Sequence, residues 1–185
     1  AVGNAGVGYE IPGYYGSAMS FPGVYDNNIA LGANTDYAFG TGDFTVELWV
    51  NTNSVSRQRI LSSTQVGFSS SCWVLRIEPP NNTLYFTSAN VIAAHPTPVI
   101  SINQWHHIAV TREEVLTSLY LNGVCVGIDT NDTRNYTEAG TNNFWLSPGY
   151  SVDTATENFN GQIQDLRIYK GVAKYKGGFD VPKPY

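Results

Sequence analysis

Apolar and polar residues alternate with a period of two along much of this 185-residue chain, and Gly, Pro, Asn and Asp cut each run short. Side chains on a strand point alternately to opposite faces, so such runs read as half-buried β-strands separated by turns. The pattern predicts strands over 18–21, 29–31, 37–39, 44–51, 59–63, 72–78 and 83–88. It continues over 99–102, 105–112, 117–121, 124–129, 143–146 and 162–169. Between two of these runs stands Asn122-Gly123, a step that tolerates the positive φ of a tight hairpin turn. In the last run Ile163 and Leu166 cannot share a face under strict alternation, so a bulge near Gln164 is expected. No segment holds a helical period of useful length, although 172–175 suggests a single helical turn. Many short strands with turn residues between them predict an all-β sandwich or jelly roll.

Residues 1–16 are rich in Gly and Tyr without periodicity, which marks an N-terminal arm or linker ahead of a domain over 17–185. Charged residues make up only 14%, against roughly a quarter in an average soluble protein, so neutral hydrogen-bonding groups carry the polarity. Net charge is −5 and no Lys/Arg cluster appears, which excludes nucleic acid as the expected partner. No apolar run approaches the ~18 residues of a membrane span. Cys72 and Cys125 are too few for a disulfide framework and read as reduced strand residues, with a single bridge as the alternative. Sequons at Asn81, Asn131 and Asn135 are about what a chain this rich in Asn, Ser and Thr contains by chance.

Three runs carry a resemblance. Gly42-Asp43-Phe44-Thr45-Val46-Glu47-Leu48-Trp49-Val50 resembles an early strand of laminin G-like, concanavalin A-like jelly-roll domains. Trp105-His106-His107-Ile108-Ala109-Val110-Thr111-Arg112 with Leu119-Tyr120-Leu121-Asn122-Gly123 resembles their central hairpin, and Phe159-Asn160-Gly161-Gln162-Ile163-Gln164-Asp165-Leu166-Arg167-Ile168-Tyr169 their closing strand. The order matches, over about 17–185. The resemblance implies an all-β, two-sheet antiparallel jelly-roll sandwich of the concanavalin A-like kind. The run from Tyr169 to Tyr175 is similar to tails of such domains in phage and other virion surface proteins, which implies an extracellular or virion-surface location.

Retaining glucanases on this fold carry Glu-x-Asp-x-Glu along one strand face, with two carboxyl groups ~5–5.5 Å apart. Here Glu47 is followed by Trp49, and Glu113 and Glu114 would face opposite ways, so no enzyme activity is expected. Glu47 is expected to pair with Arg112 or Arg167 inside the sandwich. His106 and His107 likewise face apart and His95 stands alone in a Pro-flanked run, so no metal cluster is expected of them. No cofactor is called for. Asp26, Asn28 and Asp36 are the side chains that would offer oxygen to calcium, and turn formation already accounts for Asp and Asn there. Trp49 and Trp105 are expected in the core.

Sugar recognition combines an aromatic platform with hydrogen-bonding side chains, and alternation sets Arg76, Tyr85, Trp145 and Tyr150 off the core as candidate ligand-binding residues. The expected function is a non-catalytic module on a surface or virion that contacts glycan or host-surface material. The alternative is a structural decoration protein of a capsid or tail, docking or self-associating through residues 1–16. A polysaccharide hydrolase ranks third.

Overall fold

The period-two pattern resolves into thirteen strands in a computed structural model that describes residues 10–12, 16–24, 27–64, 69–80, 82–94, 100–137, 144–148 and 157–183. In chain order they are β1 (Glu10–Pro12), β2 (Ser17–Pro22), β3 (Ile29–Ala30), β4 (Phe44–Thr52), β5 (Gln58–Ser62), β6 (Val74–Glu78) and β7 (Thr83–Ser88). The rest are β8 (Asn90–Ala94), β9 (Trp105–Glu113), β10 (Leu116–Leu121), β11 (Val124–Asp129), β12 (Trp145–Leu146) and β13 (Asn160–Lys170). Seven form one antiparallel sheet in the order β1-β2-β13-β4-β9-β10-β11, and six form the other, β3-β12-β5-β6-β7-β8. This is the jelly-roll sandwich that the pattern and the resemblance imply. Of the segment expected as an arm, Glu10–Pro12 pairs with β2 and adds an edge strand to the larger sheet.

The core lies between the sheets and follows from alternation. Phe44, Val46, Leu48 and Val50 on β4 meet Ile108 and Val110 on β9, while Trp73, Leu75, Ile77, Leu84 and Phe86 enter from the smaller sheet. Trp73 sits at its centre, with the rings of Phe39, Phe86 and Phe144 within 5.8 Å. Burial of this surface supplies the main stabilising term, roughly 25 cal/mol per Å² of apolar area removed from water. The expected bulge is present: pairing of β13 with β4 shifts between Gln164 and Arg167, Asp165 takes a φ of 54°, and Ile163 and Leu166 both reach the core. Asn122 and Gly123 take the positive φ that the β10–β11 turn requires.

Several expectations are corrected. Residues 35–37 form a 3-10 turn rather than the start of a strand, because the Asn34 side chain caps the amide of Asp36 at 2.9 Å. β8 was not signalled by alternation, and 100–102 form no strand. Two other expectations hold: Cys72 and Cys125 are both free, the first buried and the second half-buried. His106 and His107 do face apart. A backbone amide, that of Ser101, donates to His106 Nε2 at 3.2 Å, and burial lowers its pKa.

Arg112 is fully buried, yet it does not meet Glu47. Its guanidinium donates to the carbonyls of Gly40, Gly42 and Arg134 at 2.6–3.0 Å and lies over the Phe44 and Tyr136 rings. Arg167 pairs with Asp165 instead. Glu47 points to the outer face of the seven-stranded sheet, where the tail after β13 crosses it. There it accepts from Lys174 Nζ and Tyr175 Oη, both at 2.5 Å, with His107 Nε2 at 3.2 Å. Residues 172–175 are therefore an extended strap, not a helical turn. Thr45 fixes that strap by donating to the Val172 carbonyl at 2.8 Å and accepting from the Lys174 amide at 2.9 Å. Farther along, Phe179 stacks on Tyr175 at 3.5 Å and meets Tyr120 and His107 edge-on. Trp49 is buried on this outer face beside His107, and Trp105 is half-buried, so neither belongs to the inter-sheet core.

At one side of the sandwich the edge strands β11 and β8 meet. A side chain at Gly127 would come within 2.8 Å of the Ala94 backbone, so glycine is what allows the approach.

Candidate functional site

Cross-strand register assembles a second polar surface on the outer face of the six-stranded sheet. Arg76 on β6 stands opposite Tyr85 on β7, and Arg59 on β5 stands opposite Arg76. Residues two apart share a face, so Arg57 and Glu78 join them one row along. Trp145 on β12 stands opposite Ser62, which is itself opposite Val74, two residues before Arg76. Hence Arg76, Tyr85 and Trp145 lie on one face, as expected. The first two touch, and Trp145 is two strands away.

The charges are interlocked. Glu78 takes Arg57 Nε at 2.7 Å on one oxygen and has Arg76 Nε at 3.0 Å from the other. Glu157 takes Arg59 Nε at 2.6 Å, with Arg57 Nη1 at 3.5 Å. The Arg76 guanidinium carbon sits 5.8 Å from the centre of the Tyr85 ring. Burial depresses the Arg76 pKa and the nearby Arg57 and Arg59 charges add to that, against Glu78 and Glu157. Arg57 is raised, chiefly by its hydrogen bond to Glu78. Arg59 is almost wholly buried, at 1% side-chain exposure, while Arg57 is half-exposed at 52%. The Arg76 Nε and the facing Glu78 oxygen lie close without forming a hydrogen bond, so that contact is one of charge alone.

Tyr150 and Asp26 lie outside the described residues. Asn28 is buried and Asp36 is exposed in its 3-10 turn. Among the described residues no three His, Cys, Asp or Glu side chains gather as metal ligands, and no helix is long and apolar enough to cross a membrane. Alternation flagged Arg76 and Tyr85 but passed over Arg57, Arg59, Glu78 and Glu157. The signal for three of these was available: Arg57-Gln58-Arg59 and Arg76-Ile77-Glu78 each place two charges two residues apart, with a buried residue between. Glu157 had none, since it reaches the cluster from a non-strand segment whose amide-to-carbonyl contact with Arg59 is long-range.

The opposite sheet offers different ground. A cleft of about 180 Å³ opens between β9–β11 and the strap, lined by Tyr120, Tyr175, Cys125, Leu116 and Ile128 among others.

The folded chain is similar to several solved structures. Domain 4 of AbnA, a GH43 extracellular arabinanase from Geobacillus stearothermophilus solved with arabinotriose, superposes with a TM-score of 0.65 at 22% identity, over 88% of this chain and 74% of that one. The LG4-5 domains of the mouse laminin alpha1 chain give 0.61 at 16% identity, over 91% and 47%. The CBM40 of the Ruminococcus gnavus IT-sialidase, bound to alpha2,3 sialyllactose, gives 0.58 at 15%, over 77% and 89%. No curated protein sequence matches the chain. Residues 23–174, from the turn after β2 to the strap lysine, match one family profile, and on that span the chain belongs to the concanavalin A-like lectin/glucanases superfamily.

Proposed function

We propose that this chain is a non-catalytic module, placed outside the cell or on a particle surface, that binds glycan or related host-surface material through the outer face of its six-stranded sheet. The observation that carries the reading is the difference in cover. Among the described residues, one outer face is crossed by the chain's own tail, while the other presents half-buried Trp145 and the Arg76–Tyr85 pair beside a charge network. An aromatic ring flanked by oriented donors is what a pyranose needs, since its C–H face stacks and its hydroxyls hydrogen-bond. The sugar-bound structures of similar fold lend support. Glu78 and Glu157 are each held by arginine, an arrangement that suits charge balance rather than proton transfer.

Glycan-array binding by the whole chain tests the proposal. Trp145→Ala and Tyr85→Ala should each abolish or sharply weaken the signal while the urea midpoint shifts little. Undiminished binding in both variants would sink the choice of face, and turnover of a polysaccharide would sink the non-catalytic reading.

A further inference from the structure

We infer that the cleft on the outer face of the seven-stranded sheet is a second binding site, for a neutral ligand of the monocyclic phenol class whose hydroxyl pairs with Ser118. This site lies on the sheet opposite the proposed glycan surface and is independent of it. Alternation on β10 puts Leu116, Ser118 and Tyr120 on this outer face, with Thr111 and Glu113 of β9 beside them. On β11, Cys125 and Ile128 are three residues apart, so strict alternation would turn them to opposite faces. Pairing of β10 with β11 shifts between Leu119 and Tyr120, and that bulge sets Cys125 opposite Tyr120 and Ile128 opposite Ser118. The tail after β13 closes the other side with Tyr175, Lys176 and Gly177.

The polar groups already in use narrow the occupant. The Thr111 hydroxyl donates to the Tyr175 carbonyl at 3.2 Å, and the Tyr120 hydroxyl reaches the same oxygen at 3.4 Å. The Tyr175 hydroxyl is taken by Glu47, and the Cys125 thiol is directed at the Gly127 carbonyl, 3.8 Å away. Lys176 and Glu113, the charged side chains of the lining, pair with each other, so the cleft presents no net charge to an ion. Ser118 is different. It is 5% exposed, and its hydroxyl has no hydrogen-bond partner among the described residues, yet it lines the cleft rather than being sealed in the core. A hydroxyl left unpaired away from water is unfavourable, and a ligand atom that pairs with it removes the penalty. A sugar brings several hydroxyls and would strand most of them here, whereas a phenol brings one. Size agrees, since about 180 Å³ is close to the roughly 150 Å³ at which an apolar cavity accepts benzene. Tyr120, Tyr175, Leu116 and Ile128 supply walls for the faces and edges of such a ring.

The test is an NMR titration of the whole chain, followed at its backbone amides, with p-cresol, toluene, 4-methylcyclohexanol and a methyl galactoside as probes. p-Cresol should shift the amides of Ser118, Cys125, Ile128 and Tyr175 together, with a dissociation constant on the order of 0.1–1 mM for a molecule of this size. Toluene should bind about fivefold more weakly, because it leaves the Ser118 hydroxyl unpaired. 4-Methylcyclohexanol should also be weaker, for want of an aromatic ring, and the galactoside should leave these amides in place. Ser118→Ala should weaken p-cresol and not toluene, so the ratio between them falls to one or below. The probe series runs on the wild-type chain as well, so failure of that variant to fold leaves the result decisive. Toluene bound by wild type as tightly as p-cresol overturns the role of Ser118. 4-Methylcyclohexanol or the galactoside bound at these amides as tightly as p-cresol overturns the phenol class. Shifts confined to other residues, or none with millimolar p-cresol, overturn the site itself, and in each case glycan binding by the opposite sheet is untouched.

Discussion

The two outer faces of this sandwich carry similar chemistry and use it differently. On the seven-stranded sheet, Glu47, His107, Lys174 and Tyr175 form a closed set around one buried carboxylate, and the chain's own tail supplies two of the partners. On the six-stranded sheet, Arg57, Arg59, Arg76, Glu78 and Glu157 come together as well, and their aromatic neighbours Tyr85 and Trp145 stay half-exposed. The difference teaches that a charge network alone does not mark a binding surface. What separates the faces, among the described residues, is that the chain's own tail crosses one of them.

Glu47→Ala should produce the largest change. It removes the acceptor of Lys174 and Tyr175 beneath the strap, and stranding a partly buried ammonium costs about 2–4 kcal/mol. Chemical denaturation measures the loss, and an unchanged midpoint would erase the contrast between the faces. The same residue sets an acid limb. Burial by itself would raise the Glu47 pKa, but its three donors outweigh that and hold it at about 2 against an ordinary 4.5. A depressed carboxylate stabilises the fold fully above its ordinary value and loses that contribution as pH falls from 4.5 toward 2. The midpoint should decline through that window, and Glu47→Gln should flatten the decline. Its hydroxyl partner moves the other way, with Tyr175 pushed up to about 12 by burial and by its bond to Glu47.

Gly123→Ala comes next. The new methyl would lie 2.0 Å from the Phe179 carbonyl oxygen, at a φ of +81° that disfavours it. A cost of about 2 kcal/mol is expected, with the tail displaced. Hydrogen exchange at Phe179, whose amide bonds the Gly123 carbonyl at 2.9 Å, reads the displacement directly. Phe179→Ala should cost about 1 kcal/mol through loss of its stack on Tyr175, and faster proteolysis of the tail is the accompanying sign. Arg57→Ala should have the smallest effect on stability, under about 1 kcal/mol, because half-exposed ion pairs contribute little. A drop as large as that of Glu47→Ala would mean that the six-stranded face is structural after all.

The sandwich was legible because alternation and turn residues act locally. Phe44 to Val50, the Asn122-Gly123 turn and even the bulge beyond Gln164 follow from side-chain periodicity and φ preference. The strap was not legible. Val172-Ala173-Lys174-Tyr175 looks like a helical turn in isolation, and only contact with Thr45 and Glu47, more than a hundred residues earlier, holds it extended. Glu47 was misassigned for a related reason. Arg112 and Arg167 were the cations in view, but backbone carbonyls satisfy the first and Asp165 the second. On the candidate face, the outward placement of Arg76 and Tyr85 could be read from alternation, whereas their pairing needed the register and Glu157 enters from a segment with no periodic signal.

The meeting of β8 and β11 at Gly127 bears on how copies of the molecule behave when crowded. An unpaired strand edge is a template on which another chain can add, and the two longer outer strands here lie against each other instead. The remaining outer strands among the described residues, β1 and β3, are three and two residues long. Runs that short give an incoming strand few ladder bonds, so growth of one sheet into the next is disfavoured. Such a domain can be displayed at high local density, many copies side by side, without its sheets fusing into aggregate.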